Sequence, residues 1–121
     1  MTNKILIVDD IEDNLFLLRM SLSSLDLEII SANSGANALE EINKNDFFCI
    51  ILDIMMPQMD GVEVAQKLKD DSNTSAIPLL FITAINPDHP KALAAEEFGE
   101  VIRKPYDSDT LCEKVMSFKR V

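Results

Sequence analysis

At 121 residues the chain has room for one domain of ordinary size and no second one. An apolar content of 47% against 26% charged residues is enough to build a core, which excludes global disorder. Eleven Lys and Arg against 21 Asp and Glu leave a net charge of −10 and no basic cluster, which argues against direct binding to nucleic acid.

In chain order, a short apolar run is followed each time by a segment of helical period. Lys4 to Val8 is a run of β-formers, after which Ile11, Leu15, Leu18, Leu22 and Leu25 fall on one stripe of a first helix. Leu27 to Ala32 reads as a second strand. Asn33 or Ser34 then caps a helix with Ala36, Leu39 and Ile42 on one face and Glu40 and Glu41 on another. Phe47 to Leu52 is a third strand. A loop with Pro57 and Gly61 leads to a helix with Val62, Ala65 and Leu68 inward, and Ile77 to Ile82 is a fourth strand with Pro78 near its start. Pro87 is suited to open the fourth helix, with Ala92, Ala95 and Phe98 along one side and Pro90 delaying its regular hydrogen bonds. Val101 to Arg103 is a short fifth strand, and Leu111, Val115 and Phe118 mark a last helix capped near Asp107 or Ser108.

Five alternating units predict an α/β fold, because parallel strands need crossover connections and helices on both faces of the sheet supply them. The first, third and fourth runs are continuously apolar, as central strands are. The second carries Glu28 and Ser31, and the fifth is short and carries Arg103, as edge strands do. This fits a doubly wound, flavodoxin-like (βα)5 sheet in the order 2-1-3-4-5, whose crevice opens at the carboxyl ends of strands one and three. No apolar run approaches the roughly 18 residues a membrane span needs, and the first ten residues lack the apolar segment and cleavage site of a secretion signal. Cys49 and Cys112 sit in apolar surroundings without ligand spacing and read as buried thiols of a reducing compartment, so a cytoplasmic location is expected.

At the strand ends stand Asp9 and Asp10, Asp53, Thr83, and Lys104 followed by Pro105. Each has an ordinary reading by itself: a helix start, a turn, a strand residue, a solvated cation. Together they converge on one edge of the sheet. Three clustered carboxylates cannot all stay ionised without compensation, which a divalent cation and Lys104 would supply. Oxygen-only ligands select a hard ion, and Mg²⁺ suits an open site of one or two carboxylates. A carboxylate beside Mg²⁺ can act as nucleophile towards phosphorus, and Asp53 is the candidate left when Asp9 and Asp10 hold the metal.

The segments VDD at 8–10, LDIMMPQMDG at 52–61, ITA at 82–84 and RKP at 103–105 resemble, in order and over essentially the whole chain, the receiver domain of two-component response regulators. The resemblance implies that residues 1–121 form one receiver domain. It implies that Asp53 is the phosphoacceptor and that Asp9, Asp10 (the more direct ligand), Asp53 and the Met55 backbone carbonyl surround Mg²⁺. Thr83 would swing to hydrogen-bond the new phosphoryl group, Lys104 would pair with it, and the Lys104–Pro105 peptide would be cis. Further implications are a phosphoryl donor that is a histidine kinase or histidine phosphotransfer protein, a downstream output domain or protein, and a homodimer that forms on phosphorylation. From charge and hydropathy no direct contact with nucleic acid or membrane is expected, and the only catalysis expected is that of the chain's own phosphorylation and slow dephosphorylation.

One departure stands out: Val101 occupies the place of the usual switch aromatic, and Gly99 sits later than the usual glycine of that loop. Met55 and Ile85 should flank the exposed side of the phosphoryl group, where apolar bulk cannot orient an attacking water, so slow self-dephosphorylation is expected. His89 reads as a solvated loop residue without a partner. Met55, Met56 and Met59 read as adaptable packing, Phe98 and Phe118 as core, and Tyr106 as a partly exposed anchor for a partner. Competing readings are a phosphorylation-independent docking scaffold, a Mg²⁺-dependent phosphatase of the haloacid-dehalogenase type, and a flavodoxin. The phosphatase wants an Asp where Met55 stands, and the run Asp10–Asn14 would repel a flavodoxin's phosphate.

Overall fold

In a computed structural model that describes residues 2–119, the five apolar runs are strands β1 (Lys4–Val8), β2 (Glu28–Ala32), β3 (Cys49–Asp53), β4 (Leu79–Thr83) and β5 (Glu100–Arg103). The helices between and after them are α1 (Glu12–Leu22), α2 (Gly35–Lys44), α3 (Gly61–Asp70), α4 (Pro90–Ala95) and α5 (Ser108–Ser117). All strand pairs are parallel and the sheet order is β2-β1-β3-β4-β5, as the edge and centre character of the runs predicts. β3 and β4 are buried throughout, whereas β2 and β5 expose their first residues. No helix among the described residues is long and apolar enough to cross a membrane.

Alternation of side chains along the strands splits the core in two. Ile5, Ile7, Ile51, Leu80 and Ile82 pack on one face with Leu15, Leu18 and Leu22 of α1 and Leu111 and Val115 of α5. Leu6, Val8, Ile50, Leu52 and Phe81 pack on the other with Ala38 and Ile42 of α2, Val64 and Leu68 of α3, and Ala92 and Ala95 of α4.

The differences from the sequence reading lie at element ends. Ile11 is not part of the buried stripe: it is the N-cap residue of α1 and 52% exposed, and Leu25 lies beyond the helix. Ser34, not Asn33, caps α2 by accepting from Asn37 N, which turns Ala36 outward and brings Gly35 and Ala38 inward. β3 begins at Cys49 opposite Ile5, so Phe47 and Phe48 are buried ahead of the strand. β4 begins at Leu79 because Pro78, with no N–H to give, contributes only its carbonyl, which accepts from Ile50 N. Pro90 rather than Pro87 is the first residue of α4. Asn86 first closes a turn on Asp88 and His89, and the His89 ring then caps the helix by accepting from Lys91 N at 3.0 Å. His89 is thus not partnerless. Cys49 is fully buried, while Cys112 is only half-buried and donates to Ser21 O.

Candidate functional site

The register of a parallel sheet decides which strand ends meet, and here it brings β1, β3 and β4 to a common edge. Asp9 prolongs β1, its N–H donating to Ala32 O, and its buried carboxylate accepts from Ile11 N at 3.0 Å where α1 starts. Asp10, next in the chain, is exposed. Asp53 ends β3 with only 8% of its surface accessible, and Met55 N donates to its Oδ1. One carboxylate oxygen from each of Asp9, Asp10 and Asp53 lies within 4.8 Å of the others.

Lys104 follows β5 and is fixed by its own N–H, which donates to Thr83 O at 2.8 Å. Its Nζ stands 3.4 Å from Asp9 Oδ2 and 3.8 Å from Asp53 Oδ2, so one ammonium bridges two of the three acids. The Lys104–Pro105 peptide is cis. Thr83 closes β4, fully buried, and its Oγ1 accepts from Ile85 N at 3.2 Å. Met55, 43% exposed, and Ile85, half-buried, border the same pocket of about 380 Å³ as Asp10, Asp53, Thr83 and Lys104. Asp9, Asp10, Asp53, Thr83 and Lys104 thus converge on one edge of the sheet, with Met55 beside them.

The electrostatics are those of a cation site. Burial first, and the neighbouring Asp9 charge second, push the Asp53 carboxyl up to about 6 against the opposing pull of Lys104 and of the Met55 and Ile54 backbone N–H groups. Lys104 alone does not neutralise the trio. Three hard oxygen donors within one ion's reach, one of them exposed on the open side, fit a hard divalent cation such as Mg²⁺. A carboxylate held there is desolvated, backed by an ammonium, and open towards a pocket that admits a small tetrahedral group.

The loop between β3 and α3 gives the site its rigidity, and part of it escapes the sequence reading. Gly61 N donates to Ile54 O at 2.8 Å, and a Cβ on Gly61 would lie 2.3 Å from Asp53 O. Glycine is required there by close approach to the end of β3. Asp60 caps α3 in a reciprocal capping box with Glu63, and its second oxygen takes an ion pair from Lys91 of α4. The Asp-x-x-Glu spacing at 60–63 signals the cap; nothing local signals Lys91. Met59, packing against Gly35, serves as the adaptable filler expected of it.

The response regulator receiver domain family matches residues 5–116, and the chain belongs to it. Among its relatives, the response regulator PleD of Caulobacter vibrioides is 38% identical over 121 residues, 99% of this chain and 27% of PleD. The chain thus spans about a quarter of that relative's length. Among solved structures, the response regulator TrrA of Thermotoga maritima, in complex with Mg²⁺–BeF, superposes with a TM-score of 0.84 at 30% identity, covering 98% of this chain and 99% of that one. The signal receiver domain of a signal transduction histidine kinase from Syntrophus aciditrophicus gives a TM-score of 0.87 at 25% identity, covering 99% and 95%.

Proposed function

We propose that residues 1–121 act as the phosphoacceptor module of a two-component relay in the cytoplasm, with Asp53 as acceptor. The observation that carries this reading is the convergence of the Asp9, Asp10 and Asp53 carboxylates with the Lys104 ammonium at the carboxyl ends of β1, β3 and β5. An Asp53 oxygen attacks the phosphorus of a phosphohistidine on a histidine kinase or histidine phosphotransfer protein. The O–P bond forms as the N–P bond breaks, and the imidazole leaves with the electron pair and takes up a proton. Asp9, Asp10, Asp53 and the Met55 carbonyl would hold Mg²⁺, which would supply positive charge between the attacking carboxylate and the phosphoryl oxygens. Lys104 pairs with one phosphoryl oxygen. The Thr83 hydroxyl turns from Ile85 N to donate to another, and this biases the surface towards the form that an output domain or protein binds.

The Mg²⁺–BeF complex of TrrA supports the choice of ion and of tetrahedral group. The chain turns over no substrate beyond its own aspartyl phosphate. The test is incubation with acetyl phosphate and Mg²⁺ followed by intact mass: wild type should gain one phosphoryl group and Asp53→Ala none. Equal gain by both proteins would remove Asp53 from the role. Size-exclusion chromatography of the modified protein then reports whether phosphorylation forms a homodimer.

A further inference from the structure

Thr83 and Ile85 border two spaces. One is the acidic pocket; the other, beneath the connection from β4 to α4, is a cavity of about 80 Å³ with Thr83, Ile85, Ala92 and Val101 on its inner side and the exposed Pro87, Glu96 and Arg103 at its mouth. That is several times the roughly 10–15 Å³ one water requires. Ile85 is the wall between them, and its backbone is tethered on one side only, by its N–H donating to Thr83 Oγ1 at 3.2 Å. A turn of the Thr83 side chain that carries its hydroxyl towards a group on Asp53 draws the oxygen away from Ile85 N and lengthens this bond. At that moment a branched aliphatic side chain faces a pocket filling with charged oxygens on one side. On the other lies a void walled by Val101 and Ala92, where it would gain dispersion contacts and lose apolar exposure. Val101 is short enough to leave that void, and Ala92 puts its far wall on α4, a helix of six residues.

We infer that Ile85 is a positioning residue with two seats, the pocket wall and the cavity beside Val101, and that its passage to the second accompanies the turn of the Thr83 hydroxyl towards the phosphoryl group. This rests on Asp53 being the acceptor. Packed cores favour two discrete arrangements over gradual deformation, so the passage is a switch that presses on α4 from within.

The experiment follows the ¹³C-labelled δ1 methyl of Ile85, assigned by its loss in Ile85→Val, with Mg²⁺ and beryllofluoride as the phosphoryl mimic and ¹⁹F NMR to count bound mimic. In wild type the Ile85 methyl should shift on binding and gain cross-relaxation to the Val101 methyls. In Val101→Phe, whose ring fills the cavity, mimic should still bind but the Ile85 shift should be lost. Should that variant fail to fold, Val101→Ile takes its place, with a reduced shift expected. Bound mimic with a stationary Ile85 in wild type, or an undiminished shift in the filled variant, overturns the inference. No bound mimic in wild type overturns the acceptor reading itself, and this one with it.

Discussion

Asp53 is ill at ease as an ion: burial and Asp9 hold its carboxyl near 6, so the folded chain keeps that proton over a range where the unfolded chain has released it. Stability tied to Asp53 is therefore drawn away as pH rises from about 4 to about 6. Asp53→Asn, in metal-free buffer, should raise stability at neutral pH by about 1 kcal/mol after allowance for solvent screening, with the gain vanishing below about pH 4. Thermal melts across that range check it; a gain independent of pH would contradict the cause assigned. A second strained residue is Gln58, at φ 69° in the centre of a tight turn where Met59 N donates to Pro57 O at 2.8 Å. Gln58→Gly should stabilise by up to about 1 kcal/mol in denaturant titration. The sequence shows Asp9, Asp10, Asp53, Thr83 and Lys104 because each ends an apolar run, and parallel register does the rest. It does not show Gln58's backbone, since no glycine or asparagine advertises the turn.

Between α3 and α4 the ion pair of Asp60 with Lys91 joins two residues that are 31 positions apart in the chain. Burial pushes the Asp60 carboxyl up, but the Lys91 bond and the Glu63 backbone N–H outweigh it and hold it below its ordinary value. Stability from this group is present above the unfolded value near 3.9 and is lost as pH falls through the lower folded one. Asp60→Asn keeps the cap and loses the pair. It should cost about 0.5 kcal/mol at neutral pH, because the exposed Lys91 end is screened by water, and nothing in strong acid. Gly61→Ala tests the same loop by crowding: a methyl group driven against Asp53 O should cost about 1–3 kcal/mol in urea unfolding and slow acetyl phosphate labelling. The five βα units are legible because apolar runs and helical stripes alternate so regularly. Their ends are not, because competing local bonds set them: Asn86 postpones α4 from Pro87 to Pro90, and Ser34 outcompetes Asn33 as cap.

For the molecule as a whole, Met55 and Ile85 bring no polar side-chain group to the pocket that could orient water towards phosphorus, whichever seat Ile85 holds, so a phosphoryl group on Asp53 should be long-lived. Met55→Asn combined with Ile85→Glu should speed phosphate loss severalfold at equal initial labelling, timed by intact mass; an unchanged half-life would assign both side chains to packing alone. The two half-cores, meeting only through the sheet, bear on how such a chain can vary. Among the described residues, the buried apolar side chains facing α1 and α5 form one cluster and those facing α2, α3 and α4 another, so one layer can be rewritten by mutation while the other holds its shape. The acids and the lysine sit on the seam, at the rim of the sheet that both layers share, and so persist through either revision. Native-state hydrogen exchange would register this plan as slow amides along β1 and β3 flanked by two sets of helices that open independently.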